Sequence, residues 1–212
     1  LNELSLPVDF WLPEALDPYQ CWIAANQPTE QTTERLRDRL NRGSASLPKI
    51  SVLMPVYNPP AKFFELAVAS VRNQIYGDWQ LCVADDASSA PWVRPRLREL
   101  AHEDPRIQVC FCERNGNISL ASNSAAELAT GDFLLFLDQD DLLTPDALAE
   151  VALHLSEHEA VDVLYSDDDK INAEGRRFAP QFKPDWSPEL LISYMYFSHL
   201  FVVRRSLFEE VT

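Results

Sequence analysis

The sequence predicts an α/β protein in which a mostly parallel central sheet is sandwiched by helices. Three observations carry that class. From Lys49 onward, short apolar runs alternate with amphipathic stretches at the spacing of strand, helix, strand, helix, a pattern that implies right-handed crossovers. The run "ISVLMPVY" is apolar almost without a break, as in a strand covered on both faces. The first, second, fourth and fifth of these runs end in "VYN", "DDAS", "DQDD" and "SDDD". Polar and acidic residues therefore collect beyond the carboxyl ends of the strands, where open α/β sheets bind ligands.

Residues 1–48 differ from the remainder of the chain. "VDFWLPEALDPYQCWIAANQPT" is rich in aromatics and prolines and has no sustained period, and "EQTTERLRDRLNRG" is a charged helical stretch that Gly43 can end. We expect an N-terminal appendage, with "GSASLPK" as linker, ahead of a main domain over 49–212. Phe10, Trp11 and Trp22 are expected to pack as core aromatics rather than to form a partner-docking patch.

In the main domain, "ISVLMPVY" is the first strand. The next stretch places Phe64, Ala67, Val68, Val71 and Ile75 at three- and four-residue steps, one face of a helix. "WQLCVA" is a second strand and "PRLRELAHE" a helix with Pro95 in its first turn. "IQVCFC" is a third strand, followed by a helix over "ISLASNSAAELATG" that Gly131 would close. "FLLFL" is the fourth strand. The clearest helix comes next, with Thr144 as expected cap, Pro145 at its first position and Leu148, Val151, Ala152 and Leu155 along one face. "VDVLYS" is the fifth strand.

A formal net charge of -15 over 212 residues argues against a nucleic-acid binder and against docking on anionic lipid, both of which attract basic surfaces. The four cysteines, Cys21, Cys82, Cys110 and Cys112, form no CxxC pair and are expected to be reduced, packed as small hydrophobes. We expect no signal peptide, and no apolar run approaches the roughly 18 residues of a membrane span. A cytoplasmic location is the expectation.

The acidic strand ends suggest chemistry. A carboxylate at Asp85 or Asp86 can accept a hydrogen bond from a ring N–H such as N3–H of uracil or thymine, although "DDAS" is equally good turn chemistry. In extended backbone, residues two apart point to the same side, so Asp138 and Asp140 would aim two hard oxygen ligands at one magnesium or manganese ion. Such an ion can neutralise charge on a departing diphosphate. A solvated acidic loop before a helix is the plain alternative. Only five glycines occur and no Gly-rich phosphate loop is present, which leaves phosphate binding to the metal. A helix start near Ser119, with Asn115 and Asn123 about it, can supply donors or shape the floor under a base. D-x-D after a strand also opens phosphatases of the haloacid-dehalogenase type, but Leu142 stands where they carry Thr or Val, and four strands come first.

Taken together, "ISVLMPVYNP", "LAVASVRNQIYGDWQLCVADDAS", "NGNISLASNSAAELATGDFLLFLDQDD" and "LTPDALAEV" resemble the nucleotide-sugar half of a family 2 glycosyltransferase with the GT-A fold, over roughly Lys49 to Thr212. "YSDDDKI", "FKPDWSPELL", "HLFVVRRSL" and the "DPYQCWIAANQPT" leader are similar to the branch in O-antigen and other surface-polysaccharide synthases. The resemblance implies a GT-A-like, Rossmann-like nucleotide-binding half whose acceptor part is truncated. It implies an inverting transfer from a UDP- or dTDP-sugar donor to a glycan or lipid-linked glycan acceptor, with peripheral association at the inner membrane. By the same resemblance, Val56 and Tyr57 border the base, Asp86 binds its N3–H, and Asn123 joins the nucleotide site. Asp138 and Asp140 form the D-x-D with Mn2+ or Mg2+, Asp140 being the more direct ligand and the catalytic residue through the metal. Asp141 has no assigned role. Where many relatives carry an arginine before the asparagine of the third helix, Ser122 stands here. The general base is expected beyond Thr212, with Asp167, Asp168 and Asp169 reading as acceptor-side or structural. A non-catalytic donor-binding or partner-binding module of the same fold is the alternative.

Overall fold

Burial along almost the whole of β1 (Ile50–Val56) marks it as a central strand covered on both faces. The computed structural model describes residues 17–43 and 47–211. Phe10, Trp11 and part of the expected linker lie outside them. β2 (Trp79–Asp85), β3 (Ile107–Phe111) and β4 (Phe133–Phe136) run parallel with β1 in the spatial order β3-β2-β1-β4. These are the first four strands read from the sequence.

The fifth, β5 (Val163–Tyr165), is present but is not β4's neighbour. A short strand near the end of the chain, β8 (Phe201–Arg204), lies between them and pairs antiparallel with both. It stands outside the strand–helix alternation that marks the first five strands, so its pairing defines it.

Alternation along the strands sends side chains to two cores. On one face Val52, Met54 and Val56 pack with residues of four helices, namely α2 (Glu30–Gly43), α3 (Ala61–Arg72), α4 (Val93–Glu103) and α6 (Ala147–Glu157). On the other, Leu53, Cys82, Ala84 and Leu134 meet α5 (Asn117–Ala126) and the helix over Arg205–Val211. Burial pushes the Cys82 thiol up to about 12, so this cysteine behaves as a small apolar residue.

Two local expectations are corrected. α5 ends at Ala126, so Gly131 does not close it. Gly131 sits where β4 enters the sheet, and a Cβ there would lie 2.7 Å from the Lys49 carbonyl oxygen and 2.8 Å from the Ser51 nitrogen. It is a glycine of close approach. α6 begins at Ala147, so neither Thr144 nor Pro145 takes the predicted cap position. The cap comes from a distant side chain: Gln74 accepts from the Leu148 N–H at 2.9 Å and donates to the Thr144 carbonyl at 2.6 Å.

The chain divides into two compact units, and the division differs from a boundary at 48/49. The larger comprises 28–167 and 183–212, so α2 belongs to it. In the smaller, α1 (Pro18–Asn26) joins the unpredicted hairpin β6 (Asp168–Ile171) and β7 (Arg177–Gln181). There Trp22 is 42% exposed and not the core aromatic expected, stacking on Tyr19 at 5.7 Å between ring centroids and meeting Phe182 edge-on. Asp17 caps α1 through the Tyr19 N–H.

Candidate active site

The strand order reverses at β1. The chain proceeds from β1 to β2 to β3 on one side, then places β4 on the other. A crevice opens beyond the carboxyl ends at such a switch point. Here it is a cleft of ≈ 320 Å³. Pro55, Val56 and Tyr57 at the end of β1 form one wall, and Asp138, Gln139 and Asp140 after β4 form another. Asp86, Asn115, Asn117, Ile118 and Ala121 complete the lining.

The structure thus brings together Val56, Tyr57, Asp86, Asp138 and Asp140. Asn123 is not among the lining residues and is exposed. Helix periodicity explains this: Asn117, Ile118 and Ala121 share a face of α5, and a residue two beyond Ala121 points elsewhere.

The adjacent aspartates have different surroundings. Asp85 is fully buried; its carboxylate accepts from Arg94 Nε at 2.8 Å and from the Ser88 N–H at 3.0 Å. It is a turn-holding residue. Asp86 is 3% exposed and accepts the Gly116 N–H on Oδ1 at 2.7 Å, while its main-chain oxygen accepts from Asn115 Nδ2 at 3.3 Å. Its side chain lines the cleft. Asn58, with φ 47°, binds this turn to the end of β1. Its Oδ1 accepts from the Ala90 N–H at 2.8 Å and its own N–H donates to Ser88 Oγ at 3.0 Å.

The segment after β4 is not extended. Gln139 and Asp140 form a turn closed by the Asp141 N–H donating to the Asp138 carbonyl at 3.2 Å. That geometry sets residues three apart beside each other, so Asp138 is grouped with Asp141. Asp140, exposed, lines the cleft separately. Gln139 fixes the turn by a two-point bond to Tyr57, accepting from its N–H at 2.8 Å and donating to its carbonyl at 3.3 Å. Tyr57 itself is 48% exposed beside the cleft.

Opposite the turn stands His199, whose Nε2 lies 3.5 Å from Asp138 Oδ2 and 3.4 Å from Asp141 Oδ2. One ligand atom from each of the three residues falls within 4.8 Å of the other two. Two carboxylate oxygens and an imidazole nitrogen make a chemically sound set for a divalent cation, and a cation offsets the repulsion of converging carboxylates. The residues therefore fit a metal. Sequence reasoning missed His199 and left Asp141 without a role. The available signal was a histidine directly ahead of the apolar run "LFVV", but its approach to Asp138 is a long-range contact.

Of the aspartates after β5, Asp167 accepts the Lys183 N–H at 2.7 Å. Asp169 accepts from Arg177 Nε at 2.5 Å and from the Tyr19 hydroxyl. Both are engaged in holding local structure.

Residues 51–212 match the model for glycosyl transferase family 2. The chain belongs to that family. The family 2 assignment also sets aside the phosphatase alternative, and the sheet is the GT-A arrangement found in its solved neighbours. The chain is 45% identical over 191 residues to the protein y4gI of Sinorhizobium fredii, covering 90% of this chain and 20% of that protein. It is 40% identical over 200 residues to the O-antigen biosynthesis protein RfbC of Myxococcus xanthus, covering 94% and 15%. Among solved structures, S. aureus TarS residues 1–349 in complex with UDP-GlcNAc superposes with a TM-score of 0.62 at 25% identity, over 77% of this chain and 47% of that one. The chain spans a fifth or less of the length of these two curated relatives. Among the described residues, no helix is long and apolar enough to cross a membrane.

Proposed function

We propose that this family 2 domain binds the nucleoside diphosphate of a UDP- or dTDP-sugar together with a divalent metal, Mn2+ or Mg2+. We further propose that the whole protein transfers the sugar, with inversion, to a glycan or lipid-linked glycan acceptor of a surface polysaccharide. The observation that carries the reading is one cleft at the switch point with Asp86 among its lining residues and Asp138, next to Asp141 and His199, on its β4 wall. The TarS complex with UDP-GlcNAc supports the donor class, and the O-antigen relative supports the acceptor class.

In this reading each residue has a task. Gly116 holds one oxygen of Asp86, and the other accepts the ring N–H of uracil or thymine. Tyr57 and Val56 border the base. Asp138, Asp141 and His199 hold the metal, and the imidazole among them favours Mn2+ over Mg2+. Asp140, on the cleft side of the same turn, completes the D-x-D pair with Asp138 and would meet the donor diphosphate through the ion, since two anions brought together directly repel. Bound there, the ion supplies charge neutralisation for the leaving diphosphate.

The test is a thermal-shift series with UDP, dTDP, GDP and CDP, each with Mn2+ and with EDTA. UDP or dTDP is expected to raise the midpoint more than CDP, because cytosine offers no ring N–H to Asp86, and Mn2+ is expected to enlarge that shift. Equal shifts for all four nucleotides would remove base reading by Asp86. A shift indifferent to Mn2+ would remove the metal.

A further inference from the structure

We infer that Lys183 is a positioning residue for the metal cluster: its ammonium holds the turn through Phe197, Ser198 and His199 in the shape that directs His199 toward Asp138 and Asp141. The inference rests on the metal reading above and concerns how the site is kept in shape.

Lys183 Nζ donates to the carbonyl oxygens of Ser166 at 2.5 Å, of Phe197 at 2.6 Å, and of His199. A lysine ammonium has three donors and no acceptor, and three main-chain carbonyls converge on it here. Two of those carbonyls flank Ser198, whose φ is 41°. That left-handed region brings Cβ against the backbone in an L residue, and such a conformation persists only where its surroundings impose it. The third carbonyl lies just past β5, beside the sheet, where the Ser166 N–H also donates to the Leu200 carbonyl at 3.2 Å. Lys183 is itself anchored through its main-chain N–H to Asp167.

The ring of His199 shows why the backbone matters. A metal-binding histidine usually has its second nitrogen held by a carboxylate or carbonyl, which sets the ring direction. In His199, Nε2 faces the two carboxylates, while Nδ1 is buried with no hydrogen-bond partner. The ring lacks that support. Its direction is set by the main chain beneath it, and Lys183 grips that main chain on both sides of the left-handed residue.

The experiment titrates Mn2+ into the 212-residue chain and follows loss of the free-ion EPR signal. The proteins are wild type, Lys183→Met, Lys183→Arg, His199→Ala and the Lys183→Met/His199→Ala double variant, and UDP affinity in EDTA is measured in parallel. Lys183→Met is expected to weaken Mn2+ binding by about tenfold or more, the scale for groups that orient a ligand, with UDP affinity in EDTA unchanged. Lys183→Arg is expected to lose affinity as well, because a planar guanidinium keeps the charge but cannot converge on three carbonyls. In the His199→Ala background, Lys183→Met is expected to add no further loss, since the lysine acts through the imidazole.

Wild-type affinity in Lys183→Met, additive losses in the double variant, or full affinity in Lys183→Arg would each overturn the inference. Should Lys183→Met not fold by circular dichroism, Lys183→Arg against wild type decides by the same titration. A wild type that binds no Mn2+ sinks the metal reading itself and this inference with it, an outcome distinct from a failure confined to the lysine variants.

Discussion

Neighbouring aspartates on one strand end take opposite parts because one is claimed by a guanidinium and the other lines the cleft. "DDAS" shows two carboxylates at a strand's end, and nothing local states which is structural. The division comes from Arg94, nine residues on, whose Nε claims Asp85, and from Gly116, which takes only one oxygen of Asp86. Asp85→Asn is expected to lower stability by about 1–3 kcal/mol in urea denaturation, since a buried charge-assisted bond is lost but the partly exposed Arg94 regains water. The UDP affinity of the folded variant should stay near wild type. Asp86→Ala, which also frees the Gly116 N–H, is expected to differ by weakening UDP binding in EDTA, read by calorimetry. If the two substitutions gave the same pattern, the separation of roles would fail. The D-x-D spacing carries a related lesson. Extended backbone would make Asp138 and Asp140 converge, whereas a turn pinned by Gln139 puts Asp138 with Asp141.

Elements with a sustained period are legible in the sequence, and elements defined by a distant partner are not. The strands β1 to β4 and the helices between them announce themselves through apolar runs in regular alternation with helical stripes. β8 and the β6–β7 hairpin do not: they stand outside the strand–helix alternation, and the hairpin strands are partly exposed and carry mixed polar and apolar residues. Punctuation misleads where packing overrides it. Gly131 has the sequence position of a helix stop, yet its lack of a side chain is required by the Lys49 and Ser51 backbone beside it. Gly131→Ala should therefore destabilise the fold by about 1–3 kcal/mol, the usual cost of forcing atoms into a packed site. Gly77→Ala, whose new methyl group would meet nothing within 4 Å, should leave the urea midpoint unchanged or raise it slightly. Equal effects from both would mean that close approach is not the reason for Gly131.

For the molecule as a whole, a net charge of -15 means that mild acidification relieves self-repulsion before it harms the fold. The harm comes from carboxylates stabilised in the folded state. Arg96 holds Glu103, and Arg106 holds Asp104, below the usual carboxylate range. A depressed folded pKa contributes stability above the unfolded value, about 4, and that contribution is lost as pH falls through the folded value. The thermal midpoint should hold or rise slightly from pH 7 to about 5 and then fall below about 4; a loss already complete by pH 5 would exclude these carboxylates as its cause. The same breadth of view applies to assembly. Among the described residues β5 pairs with the sheet through β8, and β8 comes directly after His199 and Leu200. During synthesis the ribosome releases His199 and the bridging strand after every other part of the sheet, so Asp86, Asp138 and Asp141 have all emerged well before the strand that closes the sheet and the imidazole that comes to lie beside the last two.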